Sequence, residues 1–322
     1  MNPAYRVDED EARALAKAAD THFMDLICGA DRIRRHYKGD GIFTCTIINA
    51  KSGRCSQDCA FCAQSAHHET GVETYPLLDP QTLVTRALEM EDAHMNHYSM
   101  VTSGFRLSEA EIDTLCKAAH QIGSRTNLTL CCSPGVLTAD QAARLRQSGI
   151  RNYHHNLETA RSHFSRICST HEYEEDIKAI GTAADAGLAI CSGGILGLGE
   201  TRAQRIELAA TLCEIGVEKI PVNFINPIAG TKMADRPLLP AAEALKSVAL
   251  FRFICPACDI TICGGRLVTL GDFQSWIFAS GANGVMTGNY LTTTGRDIAA
   301  DLEMIARWQD CAGAELISNN KI

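Results

Sequence analysis

The chain has 322 residues, 46% of them hydrophobic, enough for a sizeable core in either two ordinary domains or one large α/β barrel. Its net charge of −8 comes from interspersed acidic and basic residues without a basic patch, which argues against nucleic acid or an anionic membrane as partner. The acidic opening Asp8-Glu9-Asp10-Glu11 has the wrong polarity for a secretory signal and no apolar run reaches membrane-spanning length. Fifteen cysteines in such a chain point to a reducing cytoplasm, where thiols serve metals or catalysis rather than disulfides.

Residues 11–37 place Leu15, Ala18, Phe23, Leu26, Ile27 and Ile33 at helical spacing, so residues 1–38 read as a helical cap of one or two amphipathic helices. Gly39-Asp40-Gly41 then leads into the β-branched run 42–48, the first strand of a barrel unit spanning 39–322. Directly after that strand comes Cys55-Ser56-Gln57-Asp58-Cys59-Ala60-Phe61-Cys62, three cysteines spaced C-x3-C-x2-C. Three thiolates can hold three corners of a cubane 4Fe-4S cluster, and with no fourth cysteine in the run one iron stays open to chemistry. The alternative is zinc. Structural zinc takes four protein ligands, and neither Cys45 nor His67 completes a zinc spacing, so the open cluster is favoured.

From here strands and helices alternate. Helix signals cover 79–90, 108–121 (with a Ser108/Glu111 capping box), 139–147, 173–186 and 202–215, and strand signals cover 97–101, 128–132, 152–155, 188–191, 220–225, 260–263 and 284–286. With the first strand this makes eight β/α units, an α/β fold of the single (β/α)8 TIM type, whose active site lies at the C-terminal ends of the strands. Cys28, Cys116, Cys213 and Cys311 fall inside helical patterns and read as small buried hydrophobes. Cys255-Pro256-Ala257-Cys258 has a dithiol spacing but precedes the seventh strand, at the bottom face.

Several polar residues fall at strand ends. Gly193 to Glu200 is glycine-rich but lacks both the Lys-Ser/Thr of a P-loop and the dinucleotide fingerprint. Asn156 and Glu158, two apart, point the same way on an extended backbone, and a carboxylate there can accept both hydrogen bonds of a ribose diol. His154 and His155 read as cavity-wall histidines before metal ligands, and Asn223, alone, as a hydrogen-bonded core amide.

The cysteine spacing resembles the signature of the radical S-adenosylmethionine (SAM) enzymes. The runs Asn49 to Arg54 and Cys62 to His67, then Asn152 to Thr159, Cys191 to Glu200 and Gly288 to Thr293, resemble the biotin synthase family in particular, over about residues 23–308. The resemblance implies an eight-stranded barrel in which Cys55, Cys59 and Cys62 hold the 4Fe-4S cluster. It implies SAM contacts from Phe61, Thr102, Glu158, Gly194 and Ile195, and substrate contacts from Asn156, Asn223, Thr292 and Thr293. The reaction implied is sulfur insertion into dethiobiotin, with an auxiliary Fe-S cluster as sulfur source, an electron donor of flavodoxin or ferredoxin type, and a cytoplasmic homodimer. Other barrel enzymes of the superfamily, of hydrogenase-maturation or methylornithine-forming type, and a non-catalytic Fe-S or zinc protein are the alternatives.

The chain also departs from the family. Where many relatives hold the auxiliary cluster with three cysteines and an arginine, the matching positions are Ser99, Cys131, Cys191 and Thr261. Cys263, two residues beyond Thr261, shares its inward face by strand alternation, so Cys131, Cys191 and Cys263 become the expected ligands, with Cys132 facing the other way. Three thiolates suit a four-iron cluster whose remaining iron carries an extra sulfide; a two-iron cluster completed by Ser99, or no second cluster, are the other outcomes. An arginine that many relatives place near the SAM carboxylate is Asp176 here.

Overall fold

The computed structural model describes residues 7–312. Nine strand segments form one parallel sheet: β1 Phe43–Lys51, β2 His97–Thr102, β3 Thr129–Ser133, β4 Asn152–His154, β5 Ala189–Cys191, β6 Gly194–Leu196, β7 Lys219–Phe224, β8 Asp259–Ile262 and β9 Gly284–Met286. β1 pairs with both β2 and β9, and β5 and β6 both pair with β7, so the sheet closes into an eight-stave barrel whose fifth stave is β5 plus β6. The expected TIM-type architecture is the one found, with helices between the strands.

The fifth stave breaks at Ser192-Gly193. A Cβ on Gly193 would lie 1.9 Å from the Pro221 carbonyl oxygen and one on Gly194 2.5 Å from that of Glu158, so glycine there lets neighbouring strands approach. The sequence ends its fifth strand signal at Cys191 and carries Gly194 and Ile195 as expected SAM contacts, so β6 is a strand it does not announce.

Alternation along β1 turns Phe43, Cys45 and Ile47 into the barrel cavity, while Thr44 and Thr46 face outward; Thr44 exchanges hydrogen bonds with Asn96. The N-terminal segment forms two helices, Glu9–Ala18 and Phe23–Lys38, the first started by an Asp8/Glu11 capping box. Lys38 pairs with Asp259 at the N-terminal end of β8 (2.8 Å), and Arg202 reaches the Ala16 carbonyl (2.8 Å), which holds these helices against the barrel. Cys28 and Cys311 are exposed, contrary to the reading of buried hydrophobes, because each falls on its helix's outer face; Cys116 and Cys213 are half-buried. Cys255 and Cys258 sit just before β8, their thiols donating to the Ala209 and Val217 carbonyls. No helix among the described residues is long and apolar enough to cross a membrane.

Candidate active site

The cysteine loop leaves β1 through Gly53 and Arg54, both with positive φ, and is braced from within and from across the barrel mouth. Cys55 N–H donates to the Gln64 carbonyl (2.9 Å), Ala66 N–H to the Cys55 carbonyl (2.8 Å), and Ser65 Oγ to the Gln57 carbonyl (2.6 Å). Asp58, between the first two cysteines, accepts the Ser169 N–H (2.8 Å) and hydroxyl (2.6 Å); these bonds hold its carboxyl well below the usual carboxylate range. The loop that carries Cys55, Cys59 and Cys62 is therefore held in place by its own bonds and by Ser169, and three thiols are the donor set a cubane with one open corner requires. No three His, Cys, Asp or Glu side chains among the described residues are grouped as a single metal ion would need.

One thiol beside this loop escaped the sequence reading. Cys168 hydrogen-bonds with Cys59, and also lies 3.2 Å from His171 Nδ1 and 3.4 Å from Thr170 Oγ1. The bond with Cys59, then those with His171 and Thr170, pull the Cys168 thiol down to about 4, while burial pushes Cys62 up to about 11. Cys168 follows a four-residue helix turn, Arg161–Phe164, and nothing in its local sequence marks it.

Inside the barrel lies a cavity of about 250 Å³. It brings together Phe61 and Ile195 at the loop side; Asn156, Glu158, Asn223 and Thr292 around the wall; and Cys131, Cys191 and Cys263, the three thiols expected for a second cluster. Ser99 and Thr261 face the same space, as does Cys45, which the sequence reading set aside. Cys132 points the other way, into the hydrophobic core.

Asn156 and Glu158 share the cavity, but not through an extended backbone. β4 ends at His154 and Glu158 has φ +60°, so a turn presents both side chains. Asn156 accepts the Gly193 N–H (3.2 Å) and donates weakly to Glu158 (3.4 Å). Burial, followed by the negative charge of Asp176, pushes Glu158 up to about 8. Asn223 accepts the Gly264 N–H (2.9 Å) and donates to the Gly194 carbonyl (3.4 Å), so it braces three strand ends while facing the cavity.

Other expected positions lie apart. Thr102 is buried and donates to the Ser133 carbonyl (3.1 Å), outside the cavity lining. Gly194 contributes through its backbone, and Thr293 lines the adjoining space shared by Phe61, Cys62 and Thr292. His154 faces the cavity with Nδ1 3.5 Å from Cys191 Sγ, and burial lowers it to about 4; His155 turns outward to Asp176 (2.7 Å). Asp176 also faces His171 Nε2 (3.2 Å). Burial disfavours its charge, but the two histidines hold its carboxyl below the usual value; burial also opposes the charge of His171, but Asp176 and Cys168 outweigh it and lift His171 to about 10.

The wall chemistry suits a second cluster. Asn152 Nδ2 donates to Cys131 Sγ (3.3 Å), and the Lys219 ammonium stands among the thiols at the cavity floor, 3.3 Å from His97 Nε2. Buried thiolates need such donors and a cation.

Comparison with known proteins fits this geometry. The Radical SAM superfamily model matches residues 50–212, and the Biotin and Thiamin Synthesis associated domain matches 221–309. A biotin synthase of Nitratidesulfovibrio vulgaris (strain DP4) is 54% identical over 297 residues, covering 92% of this chain and 82% of that protein. One of Syntrophus aciditrophicus (strain SB) is 54% identical over 295 residues, covering 92% and 91%. Among solved structures, methylornithine synthase superposes with a TM-score of 0.82 at 18% identity, covering 98% of this chain and 96% of that one. The FeFe-hydrogenase maturase HydG from Carboxydothermus hydrogenoformans gives 0.80 at 16% identity, covering 94% and 75%; these two likenesses are of fold. By sequence similarity over nearly its whole length, the chain belongs to the biotin synthase family of radical SAM enzymes.

Proposed function

We propose that the chain is a biotin synthase that converts dethiobiotin to biotin. The observation that carries this is the placing of two thiol sets on one enclosed space: the Cys55/Cys59/Cys62 loop flanks its mouth through Phe61, and Cys131, Cys191 and Cys263 lie inside it. Bound there, the loop's 4Fe-4S cluster supplies the electron that cleaves SAM, and the auxiliary cluster supplies sulfur.

The chain's own residues bind and orient. Phe61 and Ile195 pack together with Met233 and Ile225 at the mouth, an apolar seat for an adenine face. Glu158 faces the ribose diol; when protonated it can also donate. Asn156 and Asn223 each offer a carboxamide already fixed by backbone partners, suited to the urea group of dethiobiotin, with Thr292 and Thr293 for its polar end. Val101, Met286 and Leu291 line an apolar wall that fits the aliphatic chain and keeps water from a reactive radical. Asp176, committed to two histidines, is not a carboxylate clamp for SAM.

The helices within residues 7–38 serve as a cap on the barrel, residues 1–6 and 313–322 of the expected 1–38 and 39–322 division lying outside the described residues; the electron donor is a flavodoxin or ferredoxin type protein, and the enzyme works in the cytoplasm. A homodimer is supported by exposed Leu267, Val268 and Phe273 within one short surface segment. The test of function is anaerobic assay with SAM, reductant and dethiobiotin: biotin and 5′-deoxyadenosine should form together. Deoxyadenosine formed without biotin would return the chain to another radical SAM activity. Cys59→Ala should abolish both products, and Asn223→Ala should weaken substrate binding by about 1–3 kcal/mol.

A further inference from the structure

The barrel interior presents four cysteines. Cys45 belongs to β1, Cys131 to β3, Cys191 to β5, and Cys263 follows β8; in the closed ring these are the first, third, fifth and seventh staves. An eight-stave barrel fills its interior in layers of four side chains, each layer drawn from alternate staves.

Strand register fixes which residues share a layer. Cys45 pairs with His97, and His97 with Thr129, two residues before Cys131. Cys131 pairs with Asn152, and Asn152 with Ala189, two before Cys191. Cys191 pairs with Lys219, and Lys219 with Asp259, two before Thr261. Thr261 pairs with Gly284, and Gly284 with Phe43, two before Cys45. The constant offset of two is the stagger of a closed barrel, so Cys45, Cys131, Cys191 and Thr261 form one layer. Cys263 stands one inward position above Thr261. Three thiols at one level with a fourth raised at the remaining stave is the arrangement that the four corners of a cubane call for, since those corners form a tetrahedron.

Packing alone does not account for Cys45. Barrel layers are ordinarily filled by bulky branched side chains, and Cys45 is absent from the hydrophobic cluster that takes in Cys132. Its surroundings are those of the other three thiols: all four line the same cavity, with the Lys219 ammonium on its wall.

We propose that Cys45 is the fourth thiolate ligand of the auxiliary cluster, completing a four-thiol cage with Cys131, Cys191 and Cys263. This rests on the reading that an auxiliary cluster occupies the barrel, and it replaces the expected iron left free for an extra sulfide. The two thiol sets then differ in kind: the loop leaves one corner open, and the barrel cage closes all of its own.

The test is Mössbauer spectroscopy, with iron and sulfide analysis, of anaerobically prepared holoenzyme and of Cys45→Ala and Cys45→Ser, with Cys132→Ala as a buried control and far-UV circular dichroism to check folding. In the wild type the auxiliary cluster should hold four sulfides for its four irons, and a fifth sulfide would overturn the four-thiol closure. In folded Cys45→Ala about one iron of the auxiliary four should become spectroscopically distinct and be lost on mild oxidation, and Cys45→Ser should shift that same site while retaining it. Cys132→Ala should match the wild type. SAM cleavage at the loop, followed as 5′-deoxyadenosine without dethiobiotin, should match the wild type in Cys132→Ala. An unchanged auxiliary spectrum in folded Cys45→Ala overturns the assignment of Cys45 and leaves the auxiliary cluster standing. Wild type holding only the loop cluster's iron overturns both.

Discussion

Asp58, between the first two loop cysteines, is bonded to Ser169, 111 residues further along the chain, by two hydrogen bonds of 2.6 and 2.8 Å. A second bracket comes from Thr170, whose hydroxyl accepts the Asp58 N–H at 3.1 Å. The loop's position over the barrel mouth thus depends on a carboxylate that binds no iron.

Asp58→Ala should therefore lower iron retention by the loop while the barrel stays folded. The Ser169 N–H and hydroxyl lose a charged acceptor, and hydrogen bonds to a charged group are worth about 1.5–3 kcal/mol. Iron per chain after gel filtration and the initial rate of SAM cleavage measure it. Undiminished iron and cleavage would show that the cysteine loop holds its own shape.

Gly193→Ala and Gly194→Ala test whether glycine is there for the strands or only for a ligand. A Cβ at either position meets a backbone carbonyl, at 1.9 Å from Pro221 and 2.5 Å from Glu158, and neither oxygen belongs to a flexible side chain. Overpacking of this kind costs about 1–3 kcal/mol or more. Denaturation without added SAM should show the loss; wild-type stability with weakened SAM binding would reverse the assignment.

Asp176 stands where the resemblance leads one to expect an arginine, and its side chain is only 4% exposed between His155 and His171. Asp176→Asn should destabilise the protein by about 1–3 kcal/mol, because both histidines lose a charged acceptor. KM for SAM should not change, since Asp176 does not line the cavity. A large rise in KM with stability intact would make Asp176 part of the SAM site.

What the sequence made legible was what local pattern encodes. The C-x3-C-x2-C loop, the alternation of units and the Ser108/Glu111 capping box need only neighbours, and the inward face of Cys263 follows from Thr261 by counting two. Cys45 was passed over because a single cysteine on a strand has no spacing partner; its company appears only when the barrel closes and stagger brings staves one, three and five level. Glu158 was placed on an extended strand because a left-handed φ at a glutamate leaves no mark in composition. Cys168 meets Cys59 across 109 residues by loop packing, which periodicity does not reach.

Glu158 should make stability depend on pH. Its folded value is raised from 4.5 to about 8, chiefly by burial and then by the charge of Asp176, whereas in the unfolded chain it titrates near 4.5. Between those values the folded state holds a proton that the unfolded state has released, so this residue's contribution to stability falls as pH rises from about 4.5 to 8. His171, raised to about 10 by Asp176 and Cys168, also loses its contribution as pH rises, but from about 6.5 upward. Asp58 and Asp176, both lowered, contribute stability that is lost only in acid, below this window. Glu158→Gln, which keeps the size and loses the titration, should therefore gain on wild type between pH 5 and 6.5, where His171 stays largely protonated in both states and the opposite contributions of His154 and Cys168, both lowered to about 4, are common to the two proteins and cancel. Urea denaturation at half-unit pH steps, without added SAM, reads the difference: the two proteins should be closest in stability near pH 5, with the variant gaining on wild type as pH rises. Parallel curves would mean that Glu158 is ionised throughout and that its pocket is wetter than its burial implies.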